Sequence, residues 1–122
     1  MAEKNAVELF DMKVAHVGIN AGNPEESAAW AGDFLRLMGL PTRETPISYF
    51  CGELIEIMNE NGRGTHGHIG FTVNDLEAAI RYFEERGMKT VEETKKFDAD
   101  GKCTFTYLEG EIGGFAIHLI QA

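Results

Sequence analysis

Four side chains that can bind a metal ion occur at matching places in two halves of the sequence. His16 is part of the run Ala-His-Val-Gly-Ile-Asn, and His68 is part of the similar run Gly-His-Ile-Gly-Phe-Thr. Later in each half, Glu56 and His118 each stand between two aliphatic residues. Three imidazoles and one carboxylate suit zinc, nickel, iron, cobalt or manganese. The sequence therefore predicts one divalent transition metal held by these four residues.

The alternation of side chains along a strand predicts that the four residues share one face of a sheet. His16 and His68 lie opposite apolar neighbours that should pack under a helix, and Glu56 and His118 are arranged in the same way. Two halves paired about a pseudo-twofold axis would bring all four together. A single histidine in an apolar strand is more often structural, so the matched positions are what favour a metal site.

A helix signal follows each histidine-containing strand. In the first half Asn23 can cap a helix, Pro24 suits the first helical position, and Gly39 suits a left-handed end. In the second half Asn74 is the expected cap and Gly87 the expected end. Apolar residues recur at helical spacing between these signals. One of them, in the first helix, is the single tryptophan, which is expected in the core.

Three strands are predicted after each helix, at residues 42–48, 49–52, 53–58, 89–95, 103–109 and 114–120. This order predicts an α+β fold in which two βαβββ modules form a cupped mixed sheet with pseudo-twofold symmetry. Module one comprises residues 13–60 and module two residues 66–122. The polar, glycine-rich residues 59–65 form a flexible link, which allows the modules to pair within one chain or between two chains. Residues 1–12 lie outside the repeat, as a tail or the remnant of a junction.

Composition limits the partners that this chain can have. Its 122 residues suit one domain, and its net charge of −9 argues against nucleic acid and anionic membranes as partners. The thiols of Cys51 and Cys103 are expected to be reduced, since two cysteines are too few for a disulfide scaffold. No stretch is apolar enough to span a membrane, and no signal peptide is visible, so a cytoplasmic protein is expected.

The whole pattern resembles the vicinal-oxygen-chelate superfamily, which includes glyoxalase I, methylmalonyl-CoA epimerase, extradiol dioxygenases and bleomycin-resistance proteins. The resemblance covers residues 13–122 and rests on Ala-His-Val-Gly-Ile, Glu-Leu-Ile-Glu-Ile, Gly-His-Ile-Gly-Phe and Gly-Gly-Phe-Ala-Ile-His-Leu-Ile-Gln. It implies a glyoxalase-like fold. Because members place metal ligands in the first and last strands of each module, it also implies metal ligation by His16, Glu56, His68 and His118. His118 stands where glyoxalase I and the epimerases usually have a glutamate.

A narrower resemblance concerns the glyoxalase-like domain that follows the barrel of some bacterial 2-keto-3-deoxy-6-phosphogluconate/4-hydroxy-2-oxoglutarate aldolases. It rests on the run from Phe10 through His-Val-Gly-Ile-Asn, on Gly-His-Ile-Gly, and on the terminal Gly-Gly-Phe-Ala-Ile-His-Leu-Ile-Gln. The tail before residue 13 would then correspond to the junction. The barrel and its Schiff-base lysine are absent from this sequence. The resemblance therefore implies an aldolase as a partner, and not the aldolase mechanism.

These features predict a metal-dependent lyase or isomerase acting on a small substrate with neighbouring oxygens, such as a 2-keto acid or a sugar-acid derivative. The metal would stabilise an enediolate, with Glu56 as the candidate base and His118 as the second candidate. The alternative is a non-catalytic ligand-binding or regulatory module associated with an aldolase. A homodimer is expected from the superfamily resemblance.

Several other polar residues could lie near a bound substrate. An anionic substrate could be reached by Arg43, Tyr49, Arg63, Thr65 and Tyr107, although an ordinary surface or packing role is the more common one for each. His66 is expected to be exposed to solvent or to lie behind the ligands rather than among them.

Overall fold

Eight strands form a single mixed sheet, with the two longer helices packed on one side of it. The computed structural model describes residues 4–122. The strands are β1 Lys13–Asn20, β2 Thr42–Glu44, β3 Ser48–Cys51, β4 Ile55–Met58, β5 Gly67–Val73, β6 Thr90–Phe97, β7 Cys103–Leu108 and β8 Phe115–Gln121. The helices are α1 Ala6–Phe10, α2 Pro24–Met38 and α3 Leu76–Glu84. None of the helices in residues 4–122 has the length and apolar character that crossing a membrane requires.

The order of strands across the sheet is β2-β3-β4-β1-β5-β8-β7-β6. Each half has the same pairing, because β1 runs parallel to β4 and β5 runs parallel to β8, while the outer strands pair antiparallel. The halves join within one chain through the antiparallel pairing of β1 with β5, which we call the central seam. The predicted α+β arrangement of two βαβββ modules in a mixed sheet is confirmed.

The first module follows the helix signals in its sequence. Asn23 caps α2 by accepting a hydrogen bond from the backbone of Glu26, and Pro24 occupies the first helical position. Gly39 ends the helix with a φ of 71°, a left-handed conformation that glycine adopts without a steric penalty. The following strand is shorter than predicted. It ends at Glu44 because Thr45 and Ser48 form a hydrogen-bonded turn before β3.

The second module differs from the prediction at the start of its helix. The cap of α3 is Asp75, which accepts from the backbone of Ala78, and not Asn74. The backbone N–H of Asn74 instead donates to the carbonyl of Phe10, which ties α1 to this module. At the other end, α3 stops at Glu84, earlier than the predicted end at Gly87. Gly87, with a φ of 81°, ends the turn that follows, where the N–H of Met88 donates to the carbonyl of Phe83.

Each module has its own hydrophobic core between its helix and the sheet. The core of module one is formed by Ala21, Ala31, Cys51 and Ile57, with Trp30, Phe34, Tyr49 and Ile55 at its edge. The core of module two is larger and includes Val73, Leu76, Phe83 and Leu119. Phe10 from α1 is buried in this second core, so the segment outside the repeat packs against module two. The face of the sheet away from α2 and α3 is left for the four candidate ligands.

Candidate metal centre

The four residues predicted as ligands converge on the open face of the sheet, at the central seam and the strands beside it. The Nε2 atom of His16 lies 3.1 Å from Nε2 of His68 and 3.3 Å from Nε2 of His118. Oε1 of Glu56 lies 3.1 Å from Nε2 of His68 and 3.7 Å from Nε2 of His16. The structure therefore brings together all four residues that the sequence singled out.

Strand register explains the convergence. Two rows of directly paired residues cross the sheet, and each contains one glycine between two candidate ligands. One row consists of Glu56, Gly18 and His68. The other row runs in the opposite direction across the sheet and consists of His118, Gly70 and His16. The second row reproduces the first by the pseudo-twofold axis at the central seam. In each row the last strand of one module and the first strand of the other supply the ligands.

The glycine in each row makes room for the imidazoles. A Cβ atom at Gly18 would overlap the ring of His68, and a Cβ atom at Gly70 would overlap the ring of His118. Because real side chains cannot approach so closely, no residue other than glycine fits at either place without displacing a histidine. The sequence displays these glycines in the His-x-Gly spacing of both modules, but their role depends on the register and was not predicted.

The candidate ligands are shielded from solvent. His68 and His118 are buried, and the side chains of His16 and Glu56 are 13% and 12% exposed. The Nδ1 atoms of His68 and His118 are buried without a hydrogen-bond partner among the described residues. The Nε2 atoms of both histidines are directed at Nε2 of His16, and two imidazole lone pairs that face each other are unfavourable unless a proton or a metal ion lies between them. A shared cation at this point would satisfy the cluster.

The spacing of the ligand atoms agrees with a transition metal. Metal–nitrogen bonds of about 2.1 Å place adjacent donors about 3.0 Å apart in an octahedron and about 3.4 Å apart in a tetrahedron. The three imidazole donors of His16, His68 and His118 lie within 4.8 Å of one another, and two of their separations are 3.1 and 3.3 Å. The spacing of the three imidazoles therefore fits a single ion, and Oε1 of Glu56 lies beside two of them, His68 and His16.

Protonation states also fit metal binding, which requires neutral imidazoles and charged carboxylates. Burial, together with the charges of His68 and His16, lowers the pKa of His118 to about 3. Burial and the neighbouring His68 lower the pKa of His16. Burial opposes ionisation of Glu56, but its hydrogen bonds to His68 and Ser48 outweigh this and lower its pKa. His118 and His16 are thus neutral and Glu56 is charged at pH 7.

The residues around the ligands differ between the modules. In module one, Ser48 is fully buried and its hydroxyl donates to Oε2 of Glu56 at 2.8 Å. In module two, the ring of Phe105 lies 4.8 Å from the ring of His118, and the ring of Tyr107 lies 5.2 Å from it. Ser48 and Phe105 were not predicted. Only the register of the β3–β4 pairing and of the β7–β8 pairing shows that these two residues face the site, and the sequence does not give that register.

A cavity of about 530 Å³ opens beside the candidate ligands. Its walls include Met58 and Ile120 from the last strands of the two modules, together with Phe105, Tyr107 and Lys96 from module two. Burial, followed by the charge of Glu56, raises the pKa of Tyr107, so its hydroxyl remains a hydrogen-bond donor at neutral pH. The cavity is large enough for a small organic substrate to reach the ligand atoms.

The other polar residues predicted near a substrate differ in their contacts. Arg63 lies over the ring of Tyr107, with 5.3 Å from Cζ to the ring centroid, and so reaches the cavity region. Arg43 is bound to Glu53, Thr65 to Glu111, and Tyr49 packs at the edge of the first core. His66 is exposed and its ring lies 6.1 Å from that of Phe115, away from the ligand cluster.

Comparison with solved structures identifies the fold. A methylmalonyl-CoA epimerase from Mycobacterium tuberculosis superposes with a TM-score of 0.63 at 18% identity, over 99% of this chain and 92% of that one. A hypothetical protein from Bacillus halodurans C-125 gives 0.59 at 18% identity, over 91% and 94% of the two chains. A variant methylmalonyl-CoA epimerase from Streptomyces coelicolor, in complex with 2-nitronate-propionyl-CoA, gives 0.56 at 14% identity, over 90% and 94%.

These likenesses confirm the predicted glyoxalase-like fold over nearly the whole chain. No protein-family model and no curated protein matches the sequence. The narrower resemblance to aldolase-linked domains therefore stays a prediction. At identities this low, the similar structures show the architecture alone, and function has to be argued from the site.

Proposed function

We propose that this protein is a metal-dependent isomerase or lyase acting on a small substrate that carries neighbouring oxygen atoms, such as a 2-keto acid or a sugar-acid derivative. The observation that carries the proposal is the cluster of four donor atoms, from His16, Glu56, His68 and His118, beside an open cavity. One divalent transition metal is the proposed cofactor. Zinc, nickel, iron, cobalt and manganese all suit three imidazoles and a carboxylate.

The chemistry follows from what the site can hold. A bound metal would supply a Lewis acid for two substrate oxygens, which makes the neighbouring C–H bond more acidic. The cavity gives a substrate access to the ligand cluster, and Met58 and Ile120 in its wall offer apolar contacts for the carbon atoms of the substrate. The protonated hydroxyl of Tyr107 can donate a hydrogen bond to a substrate oxygen at the same place.

Glu56 is the better of the two proposed proton-transfer groups. Its carboxylate is charged at neutral pH, and it lies at the edge of the cluster with one oxygen toward the histidines. His118 is the second candidate, but its lowered pKa makes it a weak base. The oxygen of Glu56 that Ser48 holds is less available, so Oε1 is the atom that would accept a proton.

The similar structures support an isomerase over a lyase. Two of them are methylmalonyl-CoA epimerases, and one contains 2-nitronate-propionyl-CoA. An epimerase removes a proton from a carbon and returns one to it, which needs a stabilised anion but no leaving group. The pseudo-twofold site, with proton-transfer candidates contributed by both modules, suits such a reaction.

One observation favours the alternative, a non-catalytic ligand-binding or regulatory module. Each of the four central side chains points its free donor atom into the cluster, and the other carboxylate oxygen of Glu56 is held by Ser48. If all four bind the metal firmly, none is left as a base. The protein would then bind a keto acid without turnover, and an aldolase is the partner that the sequence suggests for such a module.

The test is metal analysis of the purified protein and of the His16→Ala/His68→Ala variant by inductively coupled plasma mass spectrometry. We expect about one transition metal per chain, lost in the variant. The exposed His66 offers a matched control, since His66→Ala should retain the metal. Unchanged metal content in the double variant would refute the proposed site.

Turnover separates the two candidate functions. Metal-loaded protein is incubated with keto acids in deuterated water, and exchange of the acidic hydrogen is followed by NMR. Exchange that disappears in Glu56→Gln supports the isomerase or lyase. Tight binding without exchange supports the binding module. Sedimentation of the same sample tests the homodimer, which remains a prediction from the sequence.

A further inference from the structure

Module two places an unpaired cation above an aromatic ring that itself packs on a candidate ligand. Nζ of Lys96 lies 4.7 Å from the ring centroid of Phe105, and that ring lies 4.8 Å from the ring of His118. Lys96 pairs with Phe105 across the β6–β7 hairpin and lines the cavity. Its amino group has no ion-pair partner among residues 4–122, whereas the adjacent Lys95 is bound to Glu92.

A second cation, from the link between the modules, lies over Tyr107, which is another aromatic residue of the cavity wall. Cζ of Arg63 lies 5.3 Å from the ring centroid of Tyr107, and that ring lies 5.2 Å from the ring of His118. Arg63 also has no ion-pair partner in the described part of the chain.

The backbone on both sides of Arg63 is fixed by the side-chain amide of Asn20. The Oδ1 atom of Asn20 accepts from the N–H of Gly62 at 3.1 Å, and its Nδ2 atom donates to the carbonyl of Gly64 at 2.9 Å. Gly64 has a φ of 91°, and a Cβ there would overlap the carbonyl of Gly67. This Asn20 clamp means that Arg63 is presented from a defined loop, and the predicted flexible link is tied down in the folded chain.

Module one also has a cation over an aromatic ring, but there the cation has a carboxylate partner. Arg43 lies over the ring of Phe50 in the β2–β3 hairpin, with 4.6 Å from Cζ to the ring centroid. There Glu53 accepts two hydrogen bonds from the guanidinium, both at 3.0 Å, so the charge is already compensated. The uncompensated positive charge near the cluster therefore belongs to module two and to the link.

From this asymmetry we infer that Arg63 and Lys96 bind an anionic group of the substrate, so that the substrate carries a second negative charge away from its metal-binding oxygens. The inference rests on the proposed function and narrows it to dianionic acids. In a chain with a net charge of −9, a dianion is otherwise repelled. A carboxylate suits both cations, since lysine and arginine donate charge-assisted hydrogen bonds to it. The carboxylate of Glu93 also lines the cavity and repels an anion, so an anion that contacts only one of the two cations is bound less favourably.

The test compares two probes that differ only at the end remote from the metal-binding oxygens. Isothermal titration calorimetry of zinc-loaded protein measures the affinity for 2-oxoglutarate and for 2-oxopentanoate, which replaces the distal carboxylate by a methyl group. We expect about tenfold tighter binding of 2-oxoglutarate. A second pair, 2-oxoadipate and 2-oxohexanoate, differs in the same way and is one methylene group longer, which tests a greater distance between the metal and the two cations.

Variants assign the preference to residues. In Arg63→Met/Lys96→Met the preference should fall to about twofold or less, while the affinity for 2-oxopentanoate stays the same. Arg43→Met, which removes the compensated cation of module one, should keep the full preference. Zinc content and circular dichroism of each variant confirm that the site and the fold are retained.

The outcomes separate this inference from the proposed function. Equal affinity for both members of each pair, or a preference that persists in the double variant, overturns the inference and leaves the proposed metal site intact. Failure of every probe to bind zinc-loaded protein rejects the proposed function and the inference with it. Tighter binding of 2-oxoglutarate than of 2-oxopentanoate that is lost in Arg63→Met/Lys96→Met and kept in Arg43→Met supports the proposed function and the inference.

Discussion

Module one and module two have the same backbone plan, but they surround the candidate metal centre with different chemistry. Glu56 in module one is held by a buried hydroxyl, whereas His118 in module two is enclosed by aromatic rings. The charge of Arg43 in module one is neutralised by Glu53, whereas Lys96 in module two has no ion-pair partner among residues 4–122. A symmetric scaffold thus fixes the positions of the four candidate ligands, and the inferred recognition of an anionic substrate depends on the surroundings that differ between the modules.

The largest expected effect tests the symmetric part of this comparison. Gly18→Ala and Gly70→Ala each insert a Cβ into an imidazole, and overpacking of this kind costs about 1–3 kcal/mol. Each variant should also lose the metal, because the displaced histidine leaves the cluster. Urea unfolding and metal analysis measure both effects. Gly32→Ala is the control, since a Cβ there meets nothing within 4 Å and an alanine favours the helix. A normal metal content in either variant would contradict the packing argument.

The next effect is a loss of folding stability at acidic pH that is caused by His118. The folded-state pKa of His118 is about 3, below its ordinary value of 6.5. Its contribution to stability is therefore complete above pH 6.5 and is lost as the pH falls toward 3, at up to about 1.4 kcal/mol per pH unit. In metal-free protein, urea unfolding at several pH values should show this slope. In His118→Asn the slope should be shallower. Parallel curves for the two proteins would show that His118 does not titrate as described.

A smaller effect distinguishes the immediate neighbours of the two modules. Ser48→Ala removes the hydroxyl that orients Glu56 and should weaken zinc binding about tenfold, as loss of a hydrogen bond behind a ligand does. Phe105→Leu removes a ring that only packs on His118 and should change zinc affinity by about twofold or less. Competition with a chromophoric chelator measures both affinities. The comparison fails if the two substitutions have equal effects.

The smallest effect would make module one resemble module two. Glu53→Gln leaves Arg43 above Phe50 without its carboxylate partner. Because the residues are exposed, stability should scarcely change. If an uncompensated cation is what attracts an anionic substrate, the affinity for 2-oxoglutarate should rise by about twofold in this variant. Calorimetry at low ionic strength detects the change, and no increase would confine recognition to Arg63 and Lys96.

Much of the ligand set could be predicted from the sequence because strand periodicity carries the information. His16 and His68 stand in similar runs, and Glu56 and His118 stand in matched aliphatic strands, so a two-residue period places all four on one face. The duplication then predicts which strands meet. Helix ends with a single strong signal, such as Asn23 and Gly39, were also predictable.

The remaining features depend on tertiary contacts. Ser48 and Phe105 face the cluster only because of the register of their hairpins. Asn74 and Asp75 are both good caps, and the choice between them is made by the bond from Asn74 to Phe10 on a distant helix. Residues 59–65 have the composition of a flexible link, and the Asn20 clamp that orders them comes from a strand 42 to 44 residues earlier in the chain.

The central seam has a further consequence for the candidate metal centre. Because β1 and β5 belong to the same chain, the two half-sites are tethered and meet at an effective concentration on the order of millimolar or higher. Metal affinity should therefore be independent of protein concentration, and dilution should not dismantle the site. Folding the seam assembles the binding pocket in a single unimolecular event.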